Sequence, residues 1–194
     1  AARNLKNKQK AIFLDRDGTI NRKNGLVSQE DQFVLEECAV EAIRTINKSG
    51  YLAIVITNQP VVARGLCEIE DVERIHNKMK TLFGCEGVFL DEVCFCPHHP
   101  DKGYPEENPK YKIPCHCRKP DIGMIEQCAK RFNIDLSQSW MIGDTTVDIK
   151  TGKNAGTHTA LVLTGDAGKD GKYDDTPDMI CKDLLDAVKR IVGK

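Results

Sequence analysis

Short apolar runs alternate with longer amphipathic stretches along nearly the whole chain. Ala11–Leu14, Leu52–Ile56, Val88–Phe95, Trp140–Ile142 and Thr159–Leu163 are brief and rich in β-branched residues. Strands covered on both faces have this character. The stretches between them read as helices. Glu37–Ser49 carries Val40, Ile43 and Ile46 at spacing three and stops at Gly50, which suits a left-handed cap. Ile69, Val72, Ile75, Met79 and Leu82 form a second apolar stripe, and Ile122–Phe132 and Leu184–Val192 two more. Pro120 is expected in the first turn of the Ile122–Phe132 helix. The β-α-β-α order predicts a three-layer α/β/α Rossmann-like sandwich around a mostly parallel sheet, with ligands bound beyond the carboxyl ends of the strands.

Cys94–Arg118 breaks the alternation. It is dense in proline, histidine and cysteine and reads as an inserted loop that needs its own support. The chain has nine cysteines, an odd number, and no apolar secretory segment, so a metal site in a reducing compartment fits better than a disulfide framework. Cys94, Cys96, His98, His99, Cys115, His116 and Cys117 are the candidate ligands in this loop, whereas Cys38, Cys67, Cys85, Cys128 and Cys181 are expected to pack as small hydrophobes.

A chain of 194 residues with 40% hydrophobic content can bury one substantial core. We expect a short N-terminal extension over residues 1–10 and one domain over 11–194, with the loop insertion at about 94–118. The formal charge of -1 and the lack of a long basic run argue against nucleic-acid or anionic-lipid partners. No stretch has the length of a membrane span, so a cytoplasmic protein is expected. Ala1-Ala2 in place of an initiating Met points to processing or to a piece of a longer polypeptide.

Chemistry enters at the first strand. Asp15-Arg16-Asp17-Gly18-Thr19 follows Ala11–Leu14 directly, so two carboxylates one residue apart stand where a buried strand opens into a loop. One can attack phosphorus while the other exchanges a proton with the leaving oxygen, and a divalent cation offsets their repulsion. Leu52–Ile56 ends in Thr57-Asn58, which brings a hydroxyl and an amide to the same sheet edge. Trp140–Ile142 ends in Gly143-Asp144, where Asp144 can complete the oxygen shell of Mg²⁺, and Asp148 lies one helical turn later. Arg118-Lys119 supplies local positive charge, and Lys119 can stabilise charge spread over a transferring phosphoryl group.

The ordered set Asp15-x-Asp17-Gly-Thr, Thr57-Asn58, Lys119 and Gly143-Asp144-x-x-x-Asp148 resembles the haloacid dehalogenase superfamily of phosphatases. The resemblance implies that Asp15 is a nucleophile forming an aspartyl phosphate, Asp17 the acid and base, Thr57 a phosphate ligand and Lys119 the charge stabiliser. It also implies that Asp15, Asp144 and the backbone carbonyl of Asp17 hold Mg²⁺. Ala63-Arg64-Gly65, Cys96-Pro97-His98-His99-Pro100 and Cys115-His116-Cys117-Arg118-Lys119-Pro120 are similar to the zinc-loop branch, the heptose bisphosphate 7-phosphatases and the related histidinol-phosphate phosphatases. That likeness selects Cys96, His98, Cys115 and Cys117 as a closed tetrahedral Zn²⁺ set. It also implies that Asn58, Arg64 and Arg118 bind substrate, and Ala63-Arg64-Gly65 matches the heptose family better than its relatives. Pro60-Val61-Val62 departs from the Ser-Gly-Ile usual there, which stiffens a substrate-contacting loop.

The implied activity is Mg²⁺-dependent removal of the C7 phosphate of D-glycero-D-manno-heptose 1,7-bisphosphate, in the synthesis of nucleotide-activated heptose for lipopolysaccharide or surface glycans. A histidinol-phosphate phosphatase and a non-catalytic zinc-stabilised module are the competing readings. With no large cap domain, the loops near Gly25-Leu26, Pro60–Arg64 and Cys96–Lys119 must recognise a small phosphorylated sugar between them. A monomer is expected, fused to or cooperating with a nucleotidyltransferase.

Overall fold

The computed structural model describes residues 3–193; Ala1-Ala2, on which the reading of the chain's start rests, and Lys194 lie outside them. Six strands form one sheet in the order β3-β2-β1-β4-β5-β6, and every pair is parallel. They are β1 (Ala11–Leu14), β2 (Leu52–Asn58), β3 (Glu92–Cys96), β4 (Trp140–Gly143), β5 (His158–Val162) and β6 (Met179–Cys181). The helices are α1 (Ala39–Ser49), α2 (Ile69–Cys85), α3 (Gly123–Phe132), α4 (Thr146–Ala155) and α5 (Leu184–Val192).

Alternating strand positions face two separate cores. Ile12, Leu14, Ala53 and Val55 pack with Ile43 and Ile46 of α1, Ile75 and Met79 of α2, and Leu184 and Val188 of α5. Phe13, Ile54, Ile56 and Met141 pack on the opposite face with Met124, Ile125 and Cys128 of α3 and Ala155 of α4. This is the expected three-layer sandwich. Both faces of β1 and β2 are buried, which explains why these strands read as continuous apolar runs. The segment before β1 is tied to the turn between α1 and β2, where the Arg3 guanidinium donates to the carbonyls of Gly50 and Tyr51 at 2.7 and 3.0 Å.

Gly50 ends α1 in the left-handed conformation at φ 88°, as expected. Val88–Leu90, by contrast, does not join β3. The Val88 amide closes the last turn of α2 on the Phe83 carbonyl, and the Asn47 side chain brackets both backbone groups of Phe89. Pairing therefore begins only at Glu92. Pro120 also stands outside the first turn of α3, because the chain turns once more at Arg118–Asp121 before the helix begins at Gly123. Cys85, expected to pack, is exposed on the last turn of α2. β6 and most of α4 carry no sequence signal, β6 because it is three residues long and α4 because its body is polar and small-residued.

Ile43 is fully buried where α1 meets the sheet, in the core rather than at the carboxyl ends of the strands. Ile43→Ala is expected to cost about 2–4 kcal/mol in urea unfolding with KM unchanged. A loss near zero would contradict this packing.

Candidate active site

The parallel sheet delivers the chemical residues to one edge. Asp15 leaves β1, Thr57 and Asn58 end β2, and Asp144 follows β4 at Gly143. Asp15, Asp17, Lys23, Asn58, Arg64, His99, Arg118, Lys119 and Asp148 border a cavity of about 340 Å³. The sequence-predicted residues of all four motifs thus converge.

Lys119 is their common partner. Its Nζ donates to Asp15 Oδ1 at 2.9 Å, to Asp148 Oδ1 at 2.6 Å and to the Ile56 carbonyl at 3.0 Å. Burial alone would lower its pKa, but the facing carboxylates of Asp148 and Asp15 outweigh that and raise it, so the ammonium stays charged. Asp148 is fixed in turn by the Thr145 hydroxyl at 2.8 Å, within the capping box that opens α4. Asp148 therefore orients Lys119. Gly143 makes room for it, since a Cβ there would lie 2.2 Å from the Asp148 carboxylate. The side-chain amide of Asn58 is engaged reciprocally with the Lys119 backbone, accepting its N–H at 2.9 Å and donating to its carbonyl at 3.1 Å.

Asp144 is fully buried and wedged against the backbone of Gly18 and Gly165, where a Cβ on either would lie 2.2 Å from Oδ2. Its Oδ2 accepts the Asp166 N–H at 2.7 Å, whereas Oδ1 is buried with no partner. A buried, unpartnered carboxylate oxygen is costly unless a cation meets it. Asp15, Asp144 and Asp148 each offer an oxygen within 4.8 Å of the others; both Asp148 oxygens are taken by Lys119 and Thr145, which leaves Asp15 and Asp144 as the carboxylates that suit a hard divalent cation such as Mg²⁺. Lys23 Nζ stands 3.9 Å from Asp144 and 2.5 Å from Asp166. Burial, with the Asp15 and Asp148 charges, pushes Asp144 up to about 9. Burial followed by Asp148 raises Asp15 to about 6 against the pull of Lys119.

Asp17 behaves differently. Burial would raise it, but the Arg16 guanidinium and hydrogen bonds from Asn21 and Gln59 hold it below the usual carboxylate range. Thr57 Oγ1 accepts from Gln59 Nε2 at 2.9 Å.

The insertion brings Cys96, His98, Cys115 and Cys117 together, with ligand atoms within 4.8 Å of one another. Their contacts run from 2.9 Å for Cys96–Cys117 to 3.6 Å for Cys96–His98 Nδ1. These approach the edge of about 3.8 Å expected of a tetrahedron with Zn–S bonds near 2.3 Å. Cys94, His99 and His116 lie outside this group; Cys94 instead touches Cys128 at 3.5 Å. The cluster adjoins the cavity through Arg118, whose Nη1 donates to the His98 carbonyl at 3.1 Å.

Sequence reasoning missed Lys23, His99, Asp166, Asp170 and Lys172 of the cavity wall. The loop after β5 shares the sheet edge with Asp144, and Thr164-Gly165-Asp166 at that position was the available signal. His99 sits inside the cysteine-rich loop, among residues that read as metal ligands.

A family model described as "HAD-hyrolase-like" matches residues 116–187. The chain is 35% identical over 181 residues to D-glycero-beta-D-manno-heptose-1,7-bisphosphate 7-phosphatase of Haemophilus ducreyi, covering 93% of this chain and 97% of the relative. It is 40% identical over 156 residues to the D-glycero-alpha-D-manno-heptose-1,7-bisphosphate 7-phosphatase of Burkholderia mallei, covering 80% of each. A crystal structure of D,D-heptose 1.7-bisphosphate phosphatase from B. bronchiseptica complexed with magnesium and phosphate superposes with a TM-score of 0.82 at 30% identity, covering 95% of this chain and 99% of that one.

The raised carboxylates fix the sign of a pH effect. Their folded values, about 6 for Asp15 and about 9 for Asp144, lie above the ordinary 3.8. The stability they contribute is full below that ordinary value and is lost as pH rises through each folded value. A cation that binds the ionised forms reverses the loss. Millimolar Mg²⁺ is therefore expected to raise Tm more near pH 9 than near pH 6, read by differential scanning calorimetry. An equal or larger shift at the lower pH would contradict the assignment.

Proposed function

The chain belongs to the D-glycero-D-manno-heptose-1,7-bisphosphate 7-phosphatase family of the haloacid dehalogenase-like hydrolases, and from that premise we propose that it removes the C7 phosphate of a heptose 1,7-bisphosphate, leaving the 1-phosphate. The observation that carries this reading is the pairing, in one cavity, of a buried carboxylate–ammonium centre with a second cationic rim. Asp15 and Lys119 form the centre, and Arg64 and Arg118 the rim. A bisphosphate needs both. Histidinol phosphate has a single phosphate and would leave the rim cations without a phosphate to meet, and the relatives are heptose bisphosphate phosphatases.

Asp15 is the proposed nucleophile. Its free oxygen attacks phosphorus, the bond from phosphorus to the C7 oxygen breaks, and that oxygen takes the proton of the Asp17 carboxyl, which Asp17 must first take up from solvent because Arg16, Asn21 and Gln59 favour its ionised form. Asp17, now a carboxylate, removes a proton from water that attacks the aspartyl phosphate, which returns Asp15 and releases inorganic phosphate. Lys119 and the Thr57 hydroxyl stabilise the charge on the transferring group. Asn58 serves mainly by clasping the Lys119 backbone. Asp15, Asp144 and the Asp17 carbonyl hold Mg²⁺, with Asp148 behind Lys119. When bound, the ion acts as a Lewis acid on the phosphoryl oxygens and offsets the repulsion between the carboxylates.

Cys96, His98, Cys115 and Cys117 hold a structural Zn²⁺ in the same reading. Structural zinc supplies on the order of 10 kcal/mol, enough to order a loop that has little regular structure of its own. Arg118 and Lys119 follow Cys117 directly, so the order of the loop passes to the cations that meet substrate.

Both anomers of heptose 1,7-bisphosphate, assayed beside histidinol phosphate with ³¹P NMR of the product, should show selective loss of the C7 phosphorus resonance. Asp15→Asn should fold normally and lose turnover, because the amide is isosteric and a poor nucleophile. Preference for histidinol phosphate, or substantial turnover by Asp15→Asn, would overturn the reading. Cys115→Ser should release zinc, seen by elemental analysis, and lower kcat/KM by about 10-fold or more by loosening Arg118 and Lys119. Wild-type protein purified without zinc and fully active would end the zinc assignment.

A further inference from the structure

Arg16 is fully buried, stands between Asp15 and Asp17, and has no step of its own in the chemistry above. Its Nε and Nη2 donate to Asp17 Oδ1 at 3.1 and 2.9 Å, and Nη2 also reaches Asp17 Oδ2 and Gln59 Oε1, each at 3.1 Å. The remaining nitrogen, Nη1, lies 3.1 Å from His76 Nε2. A guanidinium has donors only and keeps its proton in proteins. Nη1 therefore donates, His76 Nε2 accepts, and the imidazole carries its single proton on Nδ1.

The surroundings make this acceptor hard to replace. His76 is 4% exposed on the inner face of α2, with the Phe95 ring edge-on at 5.3 Å. The Phe33 ring lies 5.9 Å from the guanidinium carbon. An Arg16 N–H without His76 would face an apolar wall. Asp17 depends on the same arrangement, since its Oδ1 also accepts from Asn21 at 2.9 Å and its Oδ2 from Gln59 at 2.9 Å. Rotation of the guanidinium in search of another acceptor would pull the carboxylate with it.

We infer that His76 is a positioning residue for the phosphatase reaction: it accepts from Arg16, which holds the guanidinium fork on Asp17 and keeps that carboxylate in one orientation at the cavity. This deepens the proposed function and rests on its reading of Asp17 as the proton carrier. His76 lies on an apolar stripe of α2 and outside the cavity lining, so its part is played wholly through Arg16. Burial, with the Arg16 charge next, lowers His76 to about 3, which agrees with a neutral ring.

The test begins with ¹⁵N NMR of the histidine side chains of the intact protein at neutral pH. His76 should show a protonated Nδ1 and a bare Nε2. A protonated Nε2, or a doubly protonated ring, would overturn the inference, and this holds even where a variant fails to fold. His76→Phe should then lower kcat by about 10- to 100-fold with KM changed less than about twofold, as expected when a reacting group is misplaced and substrate binding is not. His76→Gln, whose amide oxygen falls near the place of Nε2, should recover most of kcat. Unchanged kcat in His76→Phe, or equal losses in the Phe and Gln variants, would overturn it. Asp17→Asn, measured in parallel, separates the two layers: retained turnover there removes the reading of Asp17 and with it this role for His76, whatever the tautomer.

Discussion

One buried ammonium holds the centre of this molecule together. Lys119 brings the ends of β1 and β2 and the start of α4 to a single nitrogen, through Asp15, the Ile56 carbonyl and Asp148. Taking such a charge out of water costs several kcal/mol, and the cost is offset only where every donor has a well-placed acceptor. All three acceptors here are fixed by elements that fold for other reasons: a strand end, a strand carbonyl and a helix cap. The same contacts favour the ionised form of Asp15 against burial and the neighbouring Asp148 charge, each of which favours the protonated one. Positive charge, balanced over the chain as a whole to a net charge of -1, is thus concentrated where a phosphoryl group would sit.

The second constraint acts from the insertion. Lys119 and Arg118 belong to a segment without regular structure, and they are anchored from both sides. Asn58 clasps the Lys119 backbone from the sheet, and the Cys/His cluster begins two residues upstream at Cys117. Arg118 reaches back to the His98 carbonyl within that cluster. A fold without a large cap leaves recognition of the far end of a substrate to loops. The cations on those loops are useful only if the loops hold still, which is the physical case for a metal there.

Much of this is legible in the order of the amino acids. Strands buried on both faces appear as continuous apolar runs, and the carboxylates and amides at their ends mark the working edge. Periodicity locates α1, α2, α3 and α5 to within a few residues. It fails where stability comes from partners far along the chain. α4 is polar over most of its length and is held by its cap and by packing on β4 and β5, and β6 is too short to show a period. The apolar run before β3 overstates that strand because Asn47, 42 residues before Phe89, claims the backbone there. At the site, the motif residues can be read, whereas the network behind Asp17 cannot. Nothing in an amphipathic helix announces that His76 faces Arg16 rather than filling a hydrophobic gap.

The claim on which these relationships converge is that Asp15, paired with Lys119, carries the phosphoryl group. Quenching the enzyme in acid during turnover, reducing with borohydride and sequencing the peptides by mass spectrometry tests it directly, because an acyl phosphate on aspartate is converted to homoserine. The account predicts homoserine at position 15. Homoserine at another aspartate, or phosphate on any other side chain, would contradict it.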